Sequence, residues 1–108
     1  MTNKQGIEIS RTTKETQIRC RLITESAESS RISTGLAFFD HMLASFALHG
    51  KFYLDLEARG DLEVDGHHLV EDTGIVLGNV LHRVQEEEKA LHRFGHALVP
   101  MDDALCEV

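Results

Sequence analysis

Residues 65–87 read DGHHLVEDTGIVLGNVLHRVQEE, and this stretch decides the fold. Val70, Leu77, Val80, Leu81 and Val84 recur at helical spacing, which predicts an amphipathic helix over about 68–87. Asp65 stands where an N-cap belongs. Gly74 and Gly78 fall four apart inside this helix. An interior glycine costs about 1 kcal/mol relative to alanine, so close packing against a sheet or another helix is expected to offset it. A helix of this length with one apolar side needs a second layer to cover that side.

Working outward, Phe52, Leu54, Leu56 and Ala58 alternate with Tyr53, Asp55 and Glu57, the pattern of a half-buried strand. Residues 60–66 read as the turn into the long helix. A first helix is expected over about 35–49, with Phe38, Met42, Leu43 and Phe46 on its apolar side and Gly50 as its left-handed C-terminal cap. Residues 7–9 and 17–23 alternate as two strands joined through 12–15, a hairpin. Residues 25–31 read as a polar loop and 85–89 as a charged, solvated helix exit. The start, residues 1–6, is polar and expected to fray. Residues 97–101 and 104–108 are strand-like, with Pro100 marking an edge or bulge. The order β-β-α-β-α-β implies an α+β domain over residues 1–108: two layers, a mixed sheet with two helices on one face.

Composition narrows the function classes. The chain has 108 residues, 42% hydrophobic, with one proline and no tryptophan, which suits one globular domain. Eleven basic against 18 acidic residues leave a net charge of −7, a poor match for nucleic acid. No apolar run is long enough to span a membrane and no signal peptide opens the chain. Cys20 and Cys106 lack metal-type spacing and read as reduced, buried thiols of a cytoplasmic protein. Seven dispersed histidines are an excess that asks for chemistry.

His67 and His68 each share a helix face with Glu71, at four and three residues. Adjacent histidines splay by roughly 100° around a helix axis, which suits two different ions better than one. The same residues also fit a solvated helix start, with Glu71 favouring the positive end of the dipole. His41 follows Asp40 and fits either a ligand or a half-buried imidazole beside a carboxylate. His49 fits a helix C-terminus, where a cation opposes the dipole. His82 and His92 read as surface, His96 as structural, and Asp102 and Asp103 as turn acids. Glu15 alone is a hairpin-turn residue, and Arg93 alone is a surface cation.

Several motifs in order carry a resemblance: RTTKET at 11–16, TGLAFFDHML at 34–43, GDLEVDGHHLVEDTGIVLG at 60–78 and RFGHALVPMDDA at 93–104. Together they resemble imidazoleglycerol-phosphate dehydratase, an enzyme of histidine biosynthesis. The resemblance implies the two-layer unit shared with the second domain of ribosomal protein S5, present twice in the family's catalytic domain, each copy with its own HHxxE. This chain carries one, so it is read as an N-terminal half that ends in mid-strand at Val108. The implied reaction converts D-erythro-imidazole-glycerol phosphate to imidazole-acetol phosphate with two manganese ions per complete site. The implied metal ligands are His41, His67, His68 and Glu71. Glu15, His68 and Glu71 are the implied catalytic residues, with Glu15 as acid/base. Glu15, His41, His49, His67 and Arg93 are implied at the substrate, Arg93 at its phosphate and His49 at the pocket rim. Asp40 would orient an imidazole. The implied partners are a small phosphorylated imidazole, no nucleic acid, no membrane, and further copies or the other half that complete the site in a homo-oligomer. The alternative is a metal-binding, self-associating fragment without turnover. A metallohydrolase is disfavoured, because the glutamate does not stand between the histidines as in HExxH.

Overall fold

The computed structural model describes residues 5–88 and 90–108. The expected fraying at 1–4 and the part of the charged helix exit at Lys89 lie outside the described residues. Strands β1 (Ile7–Thr12) and β2 (Thr16–Ile23) form the expected hairpin, followed by β3 (Arg31–Ser33), α1 (Ala37–Gly50), β4 (Tyr53–Gly60) and α2 (His67–Glu87). Strands β5 (Leu98–Met101) and β6 (Ala104–Glu107) complete the order. The main sheet runs β1-β2-β4-β3, with β3 parallel to β4 and the other pairs antiparallel. It is the mixed sheet of an α+β fold.

Strand β3 was not expected: residue 31 falls in the segment read as loop. Three residues are too few for a period to declare itself. Its parallel pairing with β4 requires a crossover, and α1 supplies it.

Register explains the core. Ile18 faces Ala58, Cys20 faces Leu56 and Leu22 faces Leu54, so one sheet face is apolar throughout. Leu43 and Ala47 of α1 and Leu69, Val76 and Val80 of α2 close over it. Gly60 permits the close approach: a Cβ there would meet Leu69 Cδ1 at 3.1 Å and Thr16 Cγ2 at 3.2 Å.

Helix α1 is rotated from the face expected of it, and α2 keeps its expected face in part. In α1 only Leu43 of the expected apolar set is buried; Phe38, Met42 and Phe46 are exposed, Phe38 by 76%. This helix is apolar around most of its circumference, and the sheet takes one side. In α2, Val80 is buried and Leu77 and Val84 pack against the core as expected, whereas Val70 and Leu81 are exposed and Leu69 and Val76 carry the rest of the packing. A Cβ added at Gly74 or Gly78 would meet nothing within 4 Å, so the expected close packing at these glycines is not formed among the described residues.

Cap positions also shift. Lys51, at φ 60°, takes the left-handed place expected of Gly50, and its N–H bonds Leu48 O. Gly66 is the N-cap of α2; Asp65 sits one residue earlier and accepts the His67 N–H at 2.8 Å.

The helix-free face is not simply solvated. Tyr53 and Asp55 are buried there. Arg19 Nη2 donates to Asp55 at 2.9 Å and its Nη1 to Glu8 at 3.1 Å, and Arg21 lies 5.7 Å from the Tyr53 ring centroid. Long arginine stems cover both residues, and Asp55, then Glu8, raise the Arg19 pKa further.

Strands β5 and β6 pair with each other alone, around a turn at Asp102 (φ 51°) and Asp103. Val108 and Ala97 exchange both backbone hydrogen bonds at 2.9 Å and extend the hairpin, while the outer edge of β6 pairs with no other described strand. The hairpin packs on no other element among the described residues. No described helix is long and apolar enough to cross a membrane.

Candidate functional site

Antiparallel register places the site. Thr16, at the start of β2, pairs with Gly60, at the end of β4. The β1–β2 turn and the segment leaving β4 therefore share one edge, and α2 begins beside them.

On the first turn of α2, His67 Nε2 and Glu71 Oε2 stand 3.1 Å apart, both side chains well exposed. Two donors bound cis to one ion at about 2.1 Å each lie about 3 Å apart. The pair thus has the bite of a chelating edge. His68 is turned elsewhere: its ring centroid is 5.5 Å from that of His67, at 69° between planes. Its Nδ1 meets Asp61 Oδ2 at 2.8 Å. With the proton on Nδ1, donated to the carboxylate, Nε2 presents a lone pair outward. The hydrogen bond to Asp61, its charge, and smaller contributions from Glu15 and Asp65 raise the His68 pKa above 6.5. Asp61 Oδ1 is buried with no hydrogen-bond partner among the described residues.

Asp61 was not singled out from sequence. The signal was weak: a lone acid in a turn, seven residues before His68. Asp40, expected to orient an imidazole, instead accepts from Thr34, from the backbone N–H at 2.9 Å and from Oγ1 at 2.5 Å, and so ties the loop before α1 to the helix.

Glu15 is exposed at the tip of the β1–β2 turn, and its charge acts on His68. The structure therefore brings Glu15, Asp61, His68 and the His67–Glu71 pair to one edge. It does not bring in the rest. His41 is exposed on α1, His49 is exposed in the last turn of α1, and Arg93 is exposed at a bend between α2 and β5. Among the described residues no hydrogen bond or ion pair joins any of these three to His67, His68 or Glu71. No three His, Cys, Asp or Glu side chains gather closely enough among them to hold one ion. The expected convergence of His41 with His67, His68 and Glu71 is thus not formed among the described residues. The physical reasons are that His41 stands on α1, a different helix, and that the two imidazoles splay apart around α2. Of the remaining histidines, His82 pairs with Glu86 at 3.4 Å and His96 with Glu107 at 3.5 Å, both at the surface.

The imidazole and carboxylate donors fit a first-row divalent ion such as manganese, iron or zinc. They could fill only part of a coordination shell.

Residues 34–108 match the family model described as imidazoleglycerol-phosphate dehydratase. Relatives bearing that name include one from Gluconacetobacter diazotrophicus, 55% identical over 100 residues, which span 93% of this chain and 50% of the relative. Another, from Gluconobacter oxydans, is 46% identical over 107 residues, spanning 99% and 54%. The crystal structure of the Staphylococcus aureus imidazoleglycerol-phosphate dehydratase superposes with a TM-score of 0.75 at 35% identity, covering 91% of this chain and 52% of that one. A Pyrococcus furiosus structure gives 0.71 at 40% identity, covering 90% and 50%. The chain spans about half the length of the curated relatives it matches.

Proposed function

Because this chain belongs to the imidazoleglycerol-phosphate dehydratase family, we propose that it carries one half of a site that removes water from D-erythro-imidazole-glycerol phosphate to give imidazole-acetol phosphate. The observation that carries the reading is the paired geometry at the start of α2: a His67–Glu71 edge of 3.1 Å beside a His68 held through Nδ1 by Asp61 at 2.8 Å.

His67, His68, Glu71 and His41 would hold manganese in the completed site, where the metal would supply Lewis acidity that favours ionisation of the substrate's ring N–H and so helps the ring expel the adjacent hydroxyl. The chain's own residues handle the rest. Asp61 keeps the His68 ring in one orientation and one tautomer. The Glu15 carboxylate takes the proton from the second carbon from the ring and gives a proton to the hydroxyl that departs from the carbon beside the ring; the enol left behind becomes the ketone of the product. Its exposure at the turn tip leaves it free to reach a bound substrate. The Arg93 guanidinium grips the phosphate through two parallel N–H donors. His49 stands at the pocket rim.

The donors that gather among the described residues are too few for a complete shell, which supports a homo-oligomer or a second half that completes each site. The broad apolar surface of α1 supports the same reading. The free thiols support a cytoplasmic setting: Cys20 is buried, and burial pushes its pKa up to about 12, whereas Cys106, expected to be buried, is exposed on β6.

The test is a dehydration assay on the purified chain with manganese, alone and with the half of the Gluconacetobacter diazotrophicus relative that it does not span. Turnover that appears only with the added half supports a shared site. Manganese binding without turnover in either case supports the second reading, a metal-binding, self-associating fragment, for which the exposed helix faces speak.

A further inference from the structure

We propose that Asp72 is a positioning residue for Glu15, acting through Thr16 and Thr13. The proposal rests on the reading of Glu15 as the proton carrier. Asp72 follows Glu71 but faces inward, about 100° further around α2, and both it and Thr16 are buried.

Hydrogen-bond directions can be assigned along the whole connection. Thr16 Oγ1 donates to Asp72 Oδ2 at 2.5 Å. A carboxylate only accepts, so the single hydroxyl hydrogen of Thr16 is committed there. Thr13 Oγ1 lies 3.1 Å from Thr16 Oγ1. Thr16 has no hydrogen left to give, so Thr13 is the donor. The lone pairs of Thr13 Oγ1 then accept the backbone N–H of Glu15 at 3.1 Å and of Thr16 at 3.0 Å. The Thr13 N–H closes the turn on Thr16 O at 2.8 Å. The result is a one-way chain: Glu15 N–H to Thr13, Thr13 to Thr16, Thr16 to Asp72. Arg11 Nε, 3.7 Å from Asp72 Oδ1, faces the carboxylate from β1.

Bonds aligned in one direction polarise and strengthen each other. This chain links positions 56 residues apart, from a hairpin tip to a helix. One turn of α2 therefore carries donor ligands on its outer side and the anchor of the Glu15 backbone on its inner side. Movement of Glu15 against His68 and Glu71 is restricted by the same helix that positions them. A purely structural role would only satisfy the buried Thr16 hydroxyl and need not influence turnover.

The test uses Thr16→Val, Thr16→Ser, Asp72→Asn and Glu15→Gln in the full chain, complemented as above. The readouts are kcat, KM and amide hydrogen exchange. Thr16→Val keeps the methyl group that packs near Gly60 and removes the hydroxyl. It is expected to lower kcat about tenfold at unchanged KM and to speed exchange at the Glu15 and Thr16 amides about tenfold, the weight of one hydrogen bond. Exchange at Leu56 should stay as it was. Thr16→Ser should restore both readouts, and Asp72→Asn should fall between. Thr16→Val with wild-type kcat, where Glu15→Gln has lost turnover, overturns the positioning role alone. So does a Thr16→Ser variant as impaired as Thr16→Val, because packing would then be the cause. A fully active Glu15→Gln overturns the proton-carrier reading itself, and the positioning role with it.

Discussion

Leu69→Ala tests how firmly the core holds the site. Leu69 follows His68 and is fully buried. Its Cδ1 and Cβ would stand 3.1 and 3.3 Å from a Cβ at Gly60, and Thr16 Cγ2 lies in the same contact. Truncation to alanine removes three carbons, about 2.4 kcal/mol of transfer free energy. Collapse of the cavity is poor here: Gly60 has no side chain to move in, and Asp72 holds Thr16. The cavity raises the cost to roughly 3–4 kcal/mol. That is a large part of the about 5–15 kcal/mol that stabilises a typical domain. The assay is urea unfolding followed by circular dichroism. With an m-value of about 1.5 kcal/mol per molar, the midpoint should fall by about 2 M. The neighbouring Val70→Ala is the control, since Val70 is exposed, and it should cost no more than about 0.5 kcal/mol. A Leu69→Ala loss below about 1 kcal/mol, or an equal loss from Val70→Ala, would refute the packing that seats α2 on the sheet.

Three further outcomes are expected. Asp61→Asn should bring the raised His68 pKa of the metal-free protein back toward 6.5, read by NMR titration of the ring protons, and weaken manganese binding about 10- to 100-fold. Because the folded pKa is the higher one, the stabilisation from this pair is fully present below about 6.5 and is lost as pH rises through the folded value; an unchanged titration would remove Asp61 as the partner. Glu71→Gln should lower manganese content and turnover of the complemented protein together, whereas Glu15→Gln should lower turnover alone; loss of metal from Glu15→Gln, measured by elemental analysis, would end its assignment as the proton carrier. Light scattering should find the chain larger than a monomer, and Phe38→Asp, on the exposed face of α1, should shift it to lower mass without lowering the melting temperature; a wild-type monomer at high concentration would contradict this.

The strands and the long helix were legible because their periods are local. Ile18, Cys20 and Leu22 alternate, and Leu54, Leu56 and Ala58 answer them across the sheet. The facing of α1 was not legible. Phe38, Met42 and Phe46 make one apolar stripe, Leu43 and Ala47 another, and local spacing cannot say which the sheet will take. The burial of Tyr53 and Asp55 was hidden for a different reason. It depends on which arginines lie across the neighbouring strand, and a single strand's pattern holds no record of its neighbour.

The same division runs through the site. His67 and Glu71 are one helical turn apart, so their contact follows from spacing. Asp61 and Asp72 were invisible, because their roles come from tertiary contact: a turn folded back onto His68, and a helix meeting a hairpin 56 residues away. One register produces both. Once β2 pairs with β4 so that Thr16 meets Gly60, the tip that carries Glu15 and the segment that carries Asp61 emerge at one edge. Helix α2 starts at that edge, because the turn after β4 is short and Leu69 fits only where Gly60 leaves room. Shifting that register by one residue would turn Ile18, Cys20 and Leu22 out of the core. The burial that stabilises the sheet therefore also sets where Glu15 stands relative to His68.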